Sequence, residues 1–171
     1  MKLVSGGYLH SFIYTEDSRI FACGNNDHRQ LGVKIEGRNQ TTFVEVMRDE
    51  NICQIYCQSF GSVILRTNGD VLVFGKNECC ELGMDTKEEN ISQPTLLTND
   101  KYIQRIHCGE SFTVIEKRNG VFLVVEKLIE QQNWLIEKPK QFDIGEKFKQ
   151  IACGSNFILF LKQNGDLWFA I

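Results

Sequence analysis

The chain repeats itself. Gly24, Asn26, Leu31 and Gly32 return as Gly75, Asn77, Leu82 and Gly83, a step of about 51 residues in each case. The same step carries Gly69 to Gly120, and a shorter one of about 45 residues carries Gly120 to Gly165, Cys108 to Cys153 and Pro94 to Pro139. A period this long means one supersecondary unit copied in tandem, because a single unit cannot bury its apolar face and must stack on its neighbours. The units read as residues 1–50, 51–101, 102–146 and an incomplete 147–171 of a single domain. The period also bears on function: repeat arrays present surfaces to partners, and no one unit has to carry chemistry.

Each unit reads as short strands. Apolar, β-rich runs at 13–15 and 19–22, 62–66 and 70–74, 112–116 and 121–125, and 157–161 and 166–169 flank turn residues. In the last three units the turn holds Asn68-Gly69, Asn119-Gly120 or Asn164-Gly165. Asn-Gly tolerates the positive φ of a tight hairpin. A further strand precedes the hairpin (51–57, 102–108, 149–153) and another follows after a longer loop (43–47, 95–98, 140–143). The hairpin strands are apolar almost without alternation, as expected for a sheet covered on both faces. Four short strands in about 50 residues, sandwiched between neighbours, describe a propeller blade. The fold class is therefore all-β: a partial β-propeller of about three and a half blades, each of four short antiparallel strands.

A hydrophobic content of 42% with 24% charged residues is that of a globular chain and excludes disorder. A net charge of −3 argues against an electrostatic grip on nucleic acid or an anionic membrane. No apolar run approaches the length of a membrane span, and residues 1–7 lack the apolar core of a signal peptide. The seven cysteines are an odd number, and Cys57, Cys108 and Cys153 share the repeat position held by Gly6 in the first unit. That pattern points to a small buried side chain rather than a disulfide framework, and to an intracellular location, cytoplasmic or nuclear.

The motif Gly7-x-x-His10, then Cys23-Gly24-Asn25-Asn26, then Gln30-Leu31-Gly32 resembles the regulator of chromosome condensation repeat. The second unit keeps Phe74-Gly75-Lys76-Asn77 and Glu81-Leu82-Gly83. The third keeps Cys108-Gly109 and Asn119-Gly120 but has Val125-Glu126-Lys127 where the Gly-x-Asn stretch belongs. The fourth keeps Ala152-Cys153-Gly154 and Asn164-Gly165-Asp166. The resemblance implies a propeller blade of a fold that serves as a nucleotide-exchange factor for a small GTPase, as the binding part of ubiquitin ligases and kinases, as a ciliary scaffold and as a photoreceptor. Fold alone does not choose among these. Photoreception is rejected, because Trp134 and Trp168 are the only tryptophans. Such propellers usually have seven blades, roughly 350 residues at this period, so the array is partial. Its end blades should expose apolar faces. Three readings stay open at this point: a piece of a longer protein, ends capped by rearrangement, or two copies that complete one ring through self-association.

No residue set for catalysis, a cofactor or a metal stands out. His10 reads as a repeat histidine bonding between strands; Gly61, Phe112 and Phe157 take its place in later units. His28 lies in a polar loop and His107 on a strand, neither with a Ser or Cys partner at a recognisable spacing. Cys53, Cys57, Cys79 and Cys80 lack the paired knuckles of a zinc site, and Ser5-Gly6-Gly7 precedes a hairpin, not the helix of a phosphate loop. The candidate partner-contact residues are Asn25, Asp27, His28 and Arg29 in one loop and Lys76, Glu78 and Glu81 in its equivalent. Trp134, in the irregular stretch 126–136, joins them as a candidate interface anchor. The expected function is non-catalytic protein binding or scaffolding, with a small GTPase or a ubiquitin-ligase or kinase component as partner. Exchange-factor activity on a small GTPase is the alternative.

Overall fold

The computed structural model describes all residues except 36, 79, 80, 85, 87, 111, 127–139, 144–146 and 171, and only the backbone of 126, 140–143 and 170. The described residues form fifteen strands and no helix. β1 (Leu3–Gly6), β2 (His10–Tyr14), β3 (Arg19–Asn25) and β4 (Asn39–Arg48) make the first sheet. β5 (Ile52–Cys57), β6 (Gly61–Arg66), β7 (Asp70–Lys76) and β8 (Asn90–Asn99) make the second, and β9 (Ile103–Cys108), β10 (Phe112–Lys117), β11 (Val121–Glu126) and β12 (Lys140–Asp143) the third. The fourth has three strands, β13 (Phe148–Cys153), β14 (Ile158–Lys162) and β15 (Leu167–Ala170). Every sheet is an antiparallel meander in chain order. Its first strand lies beside the first strand of the next sheet, so β1, β5, β9 and β13 line a common axis. This is the partial propeller expected from the period.

Antiparallel order puts the β1–β2 and β3–β4 loops, and their equivalents, at one end of the stack. The β2–β3 hairpins and the links between sheets lie at the other. At that second end Gly69, Gly120 and Gly165 have φ of 89°, 81° and 95°. The Asn before each glycine does not take positive φ, contrary to a two-residue turn. Its side chain instead accepts from the backbone two residues on, as in Asp70 N to Asn68 Oδ1 at 3.1 Å and Asp166 N to Asn164 Oδ1 at 3.0 Å. The loops are three-residue turns closed by a left-handed glycine. Ser18 fills that place in the first sheet, with φ 64°.

The continuous apolar strands find their reason in the stack. Residues 61–65 of β6 and 71–75 of β7 are buried on both faces, whereas β2 and β14 alternate because each belongs to an end sheet with one neighbour. One core runs through the first three sheets, around Phe12, Tyr14, Ile64, Leu72 and Phe74. A second joins the third and fourth sheets through Phe122, Phe148 and Phe160, with ring centroids 4.8–5.9 Å apart.

The repeated Leu-Gly explains itself in the same way. Leu31 and Leu82 are buried. Gly32 leaves no room for a Cβ, which would sit 2.9 Å from the Phe74 ring of the next sheet. Gly83 stands likewise against Val125 of the third sheet. The motif is a seal between one sheet and the next.

Candidate binding rim and the joints beneath it

The two signature loops are built on one plan. Asn26 Oδ1 accepts from Leu31 N at 3.0 Å while its Nδ2 donates to Val33 O at 3.3 Å. Asn77 makes the equivalent bonds to Leu82 N (3.3 Å) and Met84 O (3.1 Å). Both asparagines are buried. Gly24 and Gly75, two residues earlier, have φ of 112° and 114°. A Cβ at Gly75 would meet Phe60 O at 2.5 Å, and one at Gly24 would meet Leu9 O, so only glycine lets the paired backbones pass.

The loop so held presents the predicted contact residues. Asn25 is mostly internal: its Nδ2 donates to Asp27 Oδ2 (3.0 Å) and Asn39 Oδ1 (3.1 Å), and its Oδ1 accepts from Gln30 Nε2 (2.7 Å). Asp27 is exposed and pairs with Arg38 at 3.6 Å. Arg29 is half-buried with φ 65°. In the second loop Lys76 pairs with Glu78 at 2.9 Å, and Glu81 lies beside Phe60, Gly61 and Glu110 in a small recess of about 130 Å³. Trp134 lies outside the described residues, as do Cys79 and Cys80.

His28 gathers a group that was not legible in the repeat. Its ring stands 5.1 Å from Phe60, and Phe60 stands 6.3 Å from Tyr8, both edge-on. The three rings come from the β3–β4, β5–β6 and β1–β2 loops. Tyr8 is 72% exposed. Beside them, Tyr8, Phe60, Glu110, Ser155 and the three repeat cysteines line an open recess of about 580 Å³ at the axis. The clue lay in the loops after Gly7 and Gln58, which share one repeat position. Nothing in one dimension says that their rings meet His28.

The cysteines at this recess are half-buried. Burial pushes the Cys57 and Cys153 thiols up to about 11 and raises Cys108 as well. They are protonated at neutral pH and poor nucleophiles. Among the described residues no group of three or more His, Cys, Asp or Glu could hold a metal ion.

Beneath the rim, polar side chains cross from sheet to sheet. His10 Nε2 donates to Ser62 Oγ at 3.0 Å, and Ser62 Oγ donates to Gln30 O at 2.8 Å. The bond runs between strands, β2 and β6, which belong to neighbouring sheets. Burial lowers His10 to about 4, so the ring is neutral at pH 7. The second unit has Gly61 at the His10 position and Gln58 at the Gly7 position, and the exchange conserves the contact. Gln58 Nε2 donates to Thr113 Oγ1 (2.9 Å) and Phe112 O (3.0 Å) of the third sheet. Ser62 and Thr113 are equivalent positions. At the third joint the chemistry turns apolar, with Phe112 and Ile158 buried in one cluster.

Comparison with known proteins agrees with this geometry. The regulator of chromosome condensation (RCC1) repeat matches residues 68–115, and a second model of that repeat matches residues 1–30. The chain is an array of regulator of chromosome condensation repeats. It is 29% identical to Protein RCC2 homolog of Xenopus laevis over 65% of this chain and 22% of that protein. It is 30% identical to the probable E3 ubiquitin-protein ligase HERC4 of Rattus norvegicus over 70% of this chain and 12% of that protein. The array thus spans less than a quarter of these relatives. Among solved structures, human WBSCR16 superposes with a TM-score of 0.79 at 20% identity over 97% of the array and 46% of that chain. Yeast RCC1 (Prp20) bound to Kap60 gives 0.80 at 20% identity over 98% and 42%. These likenesses establish the β-propeller fold.

Proposed function

We propose that the array is a non-catalytic protein-binding module that meets its partner through the rim of β1–β2 and β3–β4 loops. The observation that carries this reading is the ring contact of Tyr8, Phe60 and His28, three loops converging on an aromatic group of which Tyr8 is exposed and Phe60 and His28 are half-buried. Aromatic anchors flanked by polar loops are the composition of a protein interface. Asp27, Arg29, Lys76, Glu78 and Glu81 supply the polar surround. Relatives named as ubiquitin-protein ligases support a binding role within larger assemblies. Free, high-pKa cysteines fit a reducing intracellular compartment.

A second reading has a specific observation in its favour. Prp20p of Saccharomyces cerevisiae, which shares the fold, is described with binding to Gsp1p and histones. An exchange factor acts by binding a GTPase and displacing its nucleotide, with no acid–base residue required.

One experiment separates these. The full chain and its Tyr8→Ser/Phe60→Ser variant are presented to a panel of purified small GTPases carrying fluorescent GDP and to purified ubiquitin-ligase and kinase components. Binding weakened tenfold or more by the variant, at unchanged melting temperature, is expected. Binding indifferent to the variant would overturn the rim reading, and accelerated GDP release would transfer the conclusion to exchange.

A further inference from the structure

The recess at the axis is lined largely by backbone, and that backbone is poor in free donors. Gly7 and Gly109 leave no room for a Cβ, which would meet Gln58 O at 2.5 Å and Gly154 O at 2.7 Å. The N–H groups of these turns are engaged inside them. Gly7 N donates to His10 O (2.8 Å), Gln58 N to Gly61 O (2.8 Å), Gly109 N to Phe112 O (3.0 Å) and Gly154 N to Phe157 O (2.9 Å). Among the described residues no Lys or Arg lines the recess. An anion would therefore find neither a cationic side chain nor those four N–H groups to hold it.

The walls suit a cation instead. Glu110 is exposed, and it is the only charged side chain among the described residues that line the recess. It is steadied from the turn of the fourth sheet: Glu110 N donates to Ser155 O at 3.3 Å, and Ser155 Oγ donates to Glu110 Oε2. Glu110 Oε1 has no partner among the described residues. Tyr8 and Phe60 line the same recess. The smaller recess shares Phe60 and Glu110 with it and adds Glu81, together with a Lys76 already paired with Glu78. A positioned carboxylate beside two aromatic rings binds a guanidinium or ammonium group through charge-assisted hydrogen bonds and the ring quadrupole.

We propose that the axial recess receives an arginine or lysine side chain of the protein partner, its cation on Glu110 Oε1 and its methylene stem against Tyr8 and Phe60. The inference rests on the rim reading and adds the partner's chemistry to it: the segment that docks is basic, since an acidic one would set its carboxylates against Glu110. The volume of about 580 Å³ lies within the range of clefts that bury a small ligand, about 300–1,000 Å³.

The test uses the full chain. Nα-acetylargininamide, Nα-acetyllysinamide and the uncharged isostere Nα-acetylcitrullinamide are titrated into isotope-labelled protein and followed by NMR. The two cationic probes should shift the amides of Tyr8, Phe60, Glu110 and Ser155 saturably at millimolar concentration, and the citrulline probe should not. Glu110→Gln keeps an acceptor for Ser155 Oγ, and it should weaken the cationic probes by about fivefold or more at an unchanged melting temperature. No saturable shift, equal binding of the citrulline probe, shifts centred elsewhere, or no loss in Glu110→Gln would each overturn the proposal. The two readings fail differently. A partner that needs the Tyr8 and Phe60 rings yet binds Glu110→Gln as tightly as the wild type overturns the cation site and leaves the rim reading standing. A partner indifferent to both changes overturns the rim reading and this inference with it.

Discussion

His10 reaches across to Ser62 on the next sheet at 3.0 Å, and the hydroxyl it meets is already committed as a donor to Gln30 O at 2.8 Å. Ser62 must therefore accept from the histidine, which places the proton on Nε2. A neutral ring with that tautomer is a structural tie between two repeats, and a poor general base at neutral pH because its pKa is about 4.

Burial of this ring makes stability sensitive to pH in a defined window. The unfolded histidine titrates near 6.5 and the folded one near 4. Above 6.5 the contribution is present in full. As pH falls towards 4 the unfolded chain takes up the proton first, and stability drops by about 1.4 kcal/mol per unit, roughly 3 kcal/mol in total. Below about 4 this loss levels off. Urea unfolding between pH 7 and 4 should show the slope in the wild-type chain and a shallower one in His10→Gln. Asp70, held below its ordinary value by Asn68, and Asp100, by Lys117, act only at lower pH.

Gln58 carries the second joint with two donated bonds. Gln58→Ala should destabilise by about 1–3 kcal/mol, because Thr113 Oγ1 and Phe112 O lose buried partners. A cycle with Thr113→Val should return a coupling of about 1 kcal/mol by denaturant unfolding. Simple additivity would mean that the contact is not formed.

Gly69 and Gly165 share a dihedral but not a neighbourhood. A Cβ at Gly69 would run into Asp100 O, while one at Gly165 would meet nothing within 4 Å. Gly165→Ala should cost only the left-handed strain, about 1 kcal/mol. Gly69→Ala should cost clearly more by thermal unfolding. Ser18→Gly, at the same repeat position, should be neutral or stabilise by up to about 1 kcal/mol.

The signature asparagines hold the rim from inside. Asn77→Ala leaves Leu82 N and Met84 O unpaired and should cost about 1–3 kcal/mol. Leu82→Ala, which empties a buried site, should cost about 2–5 kcal/mol. Hydrogen exchange should show the Asn77→Ala loss centred on residues 77–84.

Thiol reactivity should follow burial. Cys53 is exposed, whereas Cys57 and Cys153 are raised to about 11. Mass-spectrometric labelling at pH 7.5 should modify Cys53 at least tenfold faster than Cys57 or Cys153.

Much of the architecture was legible because it is periodic. Gly24 and Gly75, Asn26 and Asn77, and Leu31 and Leu82 recur because each solves one local problem: a close backbone crossing, a loop with buried polar groups, and a seal on the next sheet. The turn geometry was less legible. Asn-Gly signals a hairpin, but the three-residue loop depends on strand register. Of the candidate site, the loop positions could be named from their spacing. Their internal bonding could not, so Asn25 reads as a contact residue although most of its polar atoms are used within the loop.

By itself the sequence determined the unit, its four strands and the stacking of unit on unit, since a repeated apolar pattern has few other ways to be buried. Tertiary structure decided what happens between units. It paired Gln58 with Thr113 where the histidine is missing, and it brought Tyr8, Phe60 and His28 together. The physical reason is distance along the chain: these contacts join residues 32 to 55 positions apart on different sheets, where repeat position identifies equivalent sites but not which side chains will meet.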